Sequence, residues 1–234
     1  MLKNWNLFEI VWLSLFSTIA IIITVITQDP NVEFLTTDSL ISFFALITGI
    51  LCVVLAAKGS LWTYIYGMFA TFSYAYVAYQ NNLFGEVGLN LIFFAPMNVV
   101  GFVMWKKKMN EQSSTVKMRG LSIRNKIITL LICITSTLIL GRLLQMIPEQ
   151  NTPYIDATTN VLSVVATILM VLRFKEQWLL YITLNIVTIM MWYLRYINGS
   201  SDGPIMVVMW IAFLVNAVYG YYKWNKNAIS EDTV

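Results

Sequence analysis

Long apolar runs separated by short polar segments make up most of this chain. Each run has about 20 residues, the length that an α-helix needs to cross the hydrocarbon core of a bilayer. We place them near residues 9–27, 38–57, 61–80, 86–105, 126–147, 156–173, 177–196 and 204–223. The pattern predicts an all-α integral membrane protein with about eight transmembrane helices. Asp38 and Asp156 stand where two of the runs begin, and each is expected to cap its helix.

The basic residues give these spans a direction, because Lys and Arg collect in cytoplasmic loops. An even number of crossings puts both termini on one side of the membrane. If that side is the cytoplasm, all of the 15 basic residues except Arg142 and Arg195 lie there. The opposite orientation would reverse this distribution. We therefore predict a multi-pass protein with its N-terminus and C-terminus in the cytoplasm.

The composition argues against a soluble enzyme. Of the 234 residues, 58% are apolar and 12% are charged, which leaves too little polar surface for a soluble enzyme. The chain has no His, and its two Cys residues, Cys52 and Cys133, lie apart inside apolar runs. His and Cys are common metal ligands. We expect no metal, no cofactor and no enzymatic activity.

Two groups of three helices, the second to fourth and the sixth to eighth, show a weak similarity in the same order. The aligned pairs, at an offset of about 116–118 residues, include Asp38 with Asp156, Tyr76 with Trp192, and Asn98 with Asn216. One helix connects the two groups, so they have the same orientation in the membrane. Parallel three-helix repeats of this kind occur in transporters, with the substrate site near the midplane between them.

This repeat predicts five segments. They are an extra N-terminal helix and outer loop (1–37), a first three-helix repeat (38–105), a cytoplasmic loop with a linking helix (106–155), a second three-helix repeat (156–224) and a disordered tail (225–234).

The seventh run carries the clearest candidate for a binding surface. Trp178, Tyr181, Asn185 and Trp192 follow one another at helical spacing and share a stripe about 60° wide. Aromatic faces attract flat cations, and an amide can bond a solute without adding charge. Polar side chains inside a membrane usually serve a functional site. The stripe therefore predicts a site for a planar, polar solute, including a cationic one.

Other side chains are candidates for the rest of the lining: Gln177, Asn98, Asn216, Tyr219, Tyr76 and Asn160. An Asn in a membrane helix also bonds neighbouring helices, and for Asn98 and Asn216 both interpretations stay open. Pro96 predicts a local distortion of the fourth helix. Four Trp residues near helix ends are expected in the interfacial belts, namely Trp5, Trp62, Trp105 and Trp224.

The positions of the charged residues limit which solutes and which coupling mechanisms are expected. No Lys or Arg is expected at the midplane, so a phosphate-bearing solute is disfavoured. No Asp or Glu is expected there either, which leaves no evident residue for coupling to protons or sodium. A membrane receptor or scaffold without transport is the second class considered, but we expect neither an attached signalling domain nor a long structured loop.

Several segments together resemble a known family. They are Lys58-Gly59, Tyr74-Ala-Tyr-Val-Ala-Tyr79, Gly85-Glu86, Pro96-Met-Asn-x-x-Gly101, and Leu172-Arg-Phe-Lys-Glu-Gln-Trp-Leu-Leu-Tyr-Ile-x-x-Asn185. Over about residues 40–224 the chain resembles the Pnu family of bacterial vitamin transporters, above all its carriers of nicotinamide riboside. The family's aromatic and amide motif maps onto Gln177, Trp178, Tyr181 and Asn185.

The resemblance implies a three-plus-one-plus-three fold similar to SWEET sugar transporters, assembled as a homotrimer in the lipid of the bacterial inner membrane. It also implies facilitated diffusion of nicotinamide riboside, which a cytoplasmic kinase traps by phosphorylation. Tyr181 stands where we expect Trp in many relatives, and Asn98 where Gln occurs. Thiamine is therefore the alternative substrate, followed by riboflavin.

Overall fold

Eight α-helices are present among the residues that the structure, a computed structural model, describes: 5–27, 37–80, 87–109, 115–146, 152–197 and 203–230. The helices are α1 (Leu7–Thr27), α2 (Thr37–Lys58), α3 (Trp62–Gln80), α4 (Ala95–Lys106), α5 (Ile123–Gln145), α6 (Pro153–Val171), α7 (Gln177–Ile197) and α8 (Gly203–Asn227). A π-helical segment, Leu89–Phe94, leads directly into α4. The predicted all-α architecture is confirmed.

Four of the described helical segments are long and apolar enough to cross a membrane: Leu89–Lys106, Ile123–Gln145, Pro153–Val171 and Gln177–Leu194. The helix α5 exposes apolar side chains along most of its length, including Leu130, Leu131 and Leu138. Large exposed apolar surfaces are stable where lipid or another apolar surface covers them. This surface therefore fits a protein embedded in a bilayer.

The chain divides into two compact units. Unit 1 comprises Met1–Lys107 with Glu111–Thr115, and unit 2 comprises Lys108–Asn110 with Val116–Val234. Within unit 1, α2 packs mainly on α3 and α3 on α4, while α1 adds to α2. Within unit 2, the neighbours in sequence, α5 to α8, also pack in order. Unit 2 thus includes α5, the helix predicted to link the two repeats.

The π-helical segment has a local cause. Its last bond runs from the N–H of Ala95 to the carbonyl of Asn90, one residue further back than in an α-helix. Pro96 follows at once; it lacks an N–H, and its ring would clash with the carbonyl four residues earlier in a regular helix. Widening the turn removes this conflict. The distortion predicted from Pro96 is confirmed.

The start of α6 differs from the prediction. The helix α6 begins at Pro153, earlier than expected, because Pro is well suited to the first helical position. Asp156 therefore lies inside the first turn, where it accepts a hydrogen bond from the Thr152 hydroxyl at 3.2 Å. It is not the cap. The side chain of Asp38, the other predicted cap, lies outside the described residues.

The C-terminal segment is more ordered than predicted. The helix α8 continues to Asn227, and Ile229–Ser230 form a short strand, β2. This strand pairs in parallel with β1, Arg119–Gly120, which precedes α5. The prediction of disorder is therefore wrong for residues 225–230, because backbone pairing with a distant loop is invisible in the local sequence.

The turns before α3 and α7 have the same geometry. Gly59 and Arg173 both adopt a positive φ, 67° and 68°. In each turn the N–H of this residue donates to the carbonyl three residues earlier. The N–H of the next residue donates to the carbonyl five residues before itself, and the distances are 2.9–3.0 Å. This pair of hydrogen bonds is typical of a helix C-terminus that is followed by a residue in the left-handed conformation. Gly adopts that conformation freely, whereas Arg173 does so at some cost.

Candidate functional site

Gln177, the first residue of α7, is completely buried without hydrogen-bond partners. Its side chain is 0% exposed, and neither the amide oxygen nor the amide nitrogen has a bond. The preceding turn places it there, since the Gln177 N–H bonds the carbonyl of Phe174 at 3.3 Å. A buried polar group without a partner is costly and needs an explanation. A bound ligand or water would satisfy the amide.

Trp178 is the next residue and packs between aromatic and glycine surfaces. Its ring lies edge-on to Trp224 at 6.0 Å between centroids and tilted against Tyr181 at 6.0 Å. A Cβ atom on Gly220 would come within 2.6 Å of the Trp178 ring, so only glycine allows α8 this close. The indole N–H is buried and makes no hydrogen bond. Trp178 therefore places a second unsatisfied polar atom beside Gln177 in sequence.

Tyr181 and Asn185 continue the same face of α7. The Tyr181 hydroxyl lies 3.3 Å from the Thr167 hydroxyl on α6, and its ring packs on an apolar cluster that includes Leu162 and Leu184. Asn185, one turn further, is buried. Trp192, at the far end of the predicted stripe, is half-buried. The helix α7 thus presents aromatic rings and amides on one face.

The candidates on α8 and α6 lie in the same unit. Asn216 is buried, and Tyr219 is half-buried with its hydroxyl 3.4 Å from the Lys223 ammonium. Asn160 is half-buried, and its amide donates to the carbonyl of Asp156 in its own helix at 2.8 Å. Unit 2 therefore contains eight of the ten predicted site residues.

The two candidates in unit 1 have other surroundings. The Asn98 amide donates to the Thr71 hydroxyl at 3.1 Å and to the Phe94 carbonyl at 3.0 Å. It also fills the space beside Gly67, where a Cβ would meet its oxygen. Tyr76 is 38% exposed on α3. Asn98 thus joins α3 to α4, which is the packing role considered beside the binding role.

Charged side chains lie at the end of α7 that carries Gln177. The buried carboxylate of Glu176 accepts the Leu121 N–H at 3.0 Å and lies 3.3 Å from the Lys126 ammonium. Lys175 donates to the Asn225 side chain on α8 at 2.6 Å. Burial and, to a smaller extent, the neighbouring Arg119 lower the pKa of Arg173. The contacts of Glu176 and Lys175 tie the start of α7 to the start of α5 and to α8.

The structure also shows contacts and burial that were not predicted. Thr167 and Trp210 were not singled out, yet Thr167 contacts Tyr181, and the Trp210 indole N–H is buried without a partner. Trp105 and Trp224, expected in the interfacial belts, are completely buried. Thr167 lies 14 residues before Tyr181, and no local pattern shows that contact. Nearness to a helix end likewise does not reveal whether another helix covers the ring.

Metal chemistry finds no support in the part of the chain that the structure describes. No group of three or more His, Cys, Asp or Glu side chains is close enough to hold an ion. Cys52 and Cys133 are both free thiols.

Comparisons with known proteins cover nearly the whole chain. Residues 39–226 match the profile of a family described as nicotinamide mononucleotide transporter. The nicotinamide riboside transporter PnuC of Neisseria mucosa is 36% identical over 228 residues, 95% of this chain and 82% of that protein. The same-named protein of Haemophilus influenzae is 34% identical over 226 residues, 96% and 92% of the two chains.

A solved structure agrees with these matches. The crystal structure of the vitamin B3 transporter PnuC matches with a TM-score of 0.76 at 35% sequence identity, and the match covers 95% of this chain and 92% of that one. The family profile begins in α2 and ends in α8, so it includes every residue of the candidate site. This chain belongs to the nicotinamide mononucleotide transporter family, and it is a multi-pass membrane transporter, not an enzyme.

Proposed function

We propose that this protein carries nicotinamide riboside across the bacterial inner membrane by facilitated diffusion. The observation that carries the proposal is the buried, unpartnered amide of Gln177 beside the unpartnered indole N–H of Trp178. The names of the relatives from Neisseria mucosa and Haemophilus influenzae support the choice of substrate.

The amides suit the polar groups of this nucleoside. A Gln side chain offers one acceptor and two donors, which is the complement of the carboxamide on a nicotinamide ring. Asn185 lies eight residues beyond Gln177, about 12 Å along a helix, which is the length scale of a nucleoside. We therefore assign Gln177 to the carboxamide and Asn185 to the ribose hydroxyls.

The aromatic rings of α7 suit the positive charge of nicotinamide riboside. The pyridinium of nicotinamide riboside is flat and cationic, and a Trp or Tyr face attracts such a cation by about 0.5–2 kcal/mol. Trp178 and Tyr181 are adjacent on α7, with 6.0 Å between their ring centroids. The substrate ring would pack against this pair, with Asn216, Tyr219, Trp192 and Asn160 of the same unit along the rest of the pathway. Asn98 and Tyr76 are proposed lining residues of unit 1.

Charge favours the riboside over the mononucleotide named in the family description. Gln177, Trp178, Tyr181 and Asn185 are all neutral, so these four side chains offer a phosphate no opposite charge. A riboside that enters by diffusion leaves by the same route unless it is modified. Phosphorylation by a cytoplasmic kinase would trap it, without any ion-coupling residue in the transporter.

The wider architecture is part of the same proposal. All eight helices cross the membrane, with both termini in the cytoplasm, and the two groups of three helices are parallel repeats as in SWEET transporters. The similar turns at Gly59 and Arg173 support a duplication, at an offset of 114 residues. Three copies assemble through lipid-exposed helices into a homotrimer with one pathway in each protomer.

Uptake by reconstituted protein tests the function. Liposomes that contain the protein, a riboside kinase and ATP should accumulate labelled nicotinamide riboside, and protein-free liposomes should not. Trp178→Ala should weaken binding by about 1–3 kcal/mol, whereas Trp62→Ala, at an exposed ring of α3, should not. Uptake no greater than in protein-free liposomes would contradict the proposal.

A thermal-shift series tests the substrate. Nicotinamide riboside should stabilise the detergent-solubilised protein more than its mononucleotide, thiamine or riboflavin at equal concentration. Stronger stabilisation by the mononucleotide would show that the assignment of a neutral site is wrong. Stronger stabilisation by thiamine would move this chain to the alternative substrate.

A further inference from the structure

The contact between Tyr181 and Thr167 carries an inference beyond the binding face itself. The two hydroxyl oxygens lie 3.3 Å apart, one on α7 and one on α6. The Thr167 hydroxyl also donates to the carbonyl of Ser163 at 2.8 Å. Because Thr has a single O–H, that proton is already in use. Thr167 must therefore accept the bond, and the Tyr181 hydroxyl must donate it.

The hydrogen bond to Thr167 fixes the Tyr181 ring at its hydroxyl end. The backbone of α7 holds Tyr181 at one end, and Thr167 holds the hydroxyl at the other. The ring packs on the apolar cluster of Cys133, Val161, Leu162 and Leu184. Its remaining freedom, rotation and tilt toward Trp178, is restricted while the hydroxyl stays bonded. The observed angle between the Trp178 and Tyr181 rings is 55°.

We propose that Thr167 is a positioning residue for substrate binding, which holds the Tyr181 ring at the tilt that a flat cationic ring requires. The inference rests on the proposed function, since it takes Tyr181 as part of the substrate site. Stacking and cation attraction depend on ring orientation. Thr167 therefore acts on affinity through Tyr181 and has no contact of its own with the substrate.

A double-mutant cycle tests this role. The affinity for nicotinamide riboside is measured by calorimetry on the purified protein for the unaltered chain, Thr167→Val, Tyr181→Phe and the double variant. Thr167→Val should weaken binding about fivefold to tenfold, because the ring loses its anchor. In the Tyr181→Phe background the same change should have no further effect. Thr167→Ser, which keeps the hydroxyl, should restore affinity.

Thr183→Val is the matched control. Thr183 lies on α7 and makes the same kind of bond to a carbonyl four residues earlier, but it is exposed, and residues two apart in a helix do not face each other. It should leave affinity unchanged. If the valine variant at position 167 cannot be purified, Thr167→Ala completes the same cycle.

The outcomes separate this inference from the proposed function. No binding of nicotinamide riboside by the unaltered protein would contradict the function and this inference together. Binding by the unaltered protein with equal losses from Thr167→Val in both backgrounds would indicate a general packing defect, and would overturn the positioning role alone. Unchanged affinity in Thr167→Val would also overturn it.

Discussion

The indole ring of Trp178 lies directly against the α-carbon of Gly220. A Cβ at position 220 would be 2.6 Å from Cζ2 of the ring, closer than packed atoms allow. Trp224, four residues further along α8, meets the same ring edge-on. In unit 1, Tyr64 lies against Gly101 and edge-on to Trp105 in the same way. The Gly-x-x-x-Trp pattern on α4 and α8 therefore seats one aromatic ring of the preceding helix.

Gly220→Ala should displace the Trp178 ring. Inserting a methyl group into such a contact costs about 1–3 kcal/mol of stability. We expect a lower unfolding temperature in detergent and weaker binding of nicotinamide riboside, since Trp178 belongs to the proposed site. Gly49→Ala on α2 is the control, because a Cβ there meets nothing within 4 Å. Equal behaviour of the two variants would contradict this account of Gly220.

Gln177→Met should separate stability from function. The amide of Gln177 is buried without partners, so its replacement by an apolar side chain of similar size removes an unpaired polar group. The ligand-free protein should become more stable by about 1–3 kcal/mol. Binding of nicotinamide riboside should be lost at the same time. A variant with lower stability would show that the amide has a structural partner in the ligand-free protein.

A buried ion pair holds α1 to α2. The Glu9 carboxylate, 1% exposed, lies 2.6 Å from the Lys58 ammonium, which also sits 4.8 Å from the Trp5 ring. Asn6 and Glu9 exchange bonds across the first turn of α1, as in a capping box. Lys58→Met should cost about 3–5 kcal/mol, because it leaves a buried carboxylate uncompensated.

The double variant Glu9→Gln with Lys58→Met should recover much of that loss. Thermal unfolding in detergent measures both. The effect should change little with added salt, since solvent ions do not screen a buried pair well. An unfolding temperature of Lys58→Met equal to that of the unaltered protein would contradict the assignment.

Glu176 should contribute to the stability of the protein more as a hydrogen-bond acceptor than as a charged group. Its ion-pair partner Lys126 is 47% exposed, and such pairs contribute less than about 1 kcal/mol. Glu176→Gln keeps an acceptor for the buried Leu121 N–H and should change stability little. Glu176→Ala leaves that N–H unpaired and should cost about 1–3 kcal/mol. Denaturant unfolding of the two variants, with Lys126→Ala as control, tests the difference.

Much of the fold was accessible from the sequence. The predicted runs coincide with the described helices to within a few residues when the π-helical segment Leu89–Phe94 is counted with α4, because the bilayer demands apolar segments of nearly constant length. The distortion before α4 followed from Pro96 alone. The strand pairing of Ile229–Ser230 with Arg119–Gly120 was not predicted, since the two segments are far apart in the chain and too short to show a pattern.

The candidate face of α7 could be predicted from the local sequence, but its contacts with other helices could not. Helical spacing alone places Trp178, Tyr181 and Asn185 on one side of a helix. The similar turns at Gly59 and Arg173 lie 114 residues apart, whereas the sequence alignment of the predicted repeats gave an offset of about 116–118. Loops of unequal length shift such an alignment.

The sequence by itself determined the membrane class, the all-α architecture and the face on which aromatic and amide residues gather, because these depend on local hydrophobicity and on the helical period. Only the tertiary structure decided which polar atoms are satisfied. Asn98 bonds Thr71 across to α3, whereas the amide of Gln177 has no bond. Both are neutral amides in apolar helices, and their difference arises from what the neighbouring helices place beside them.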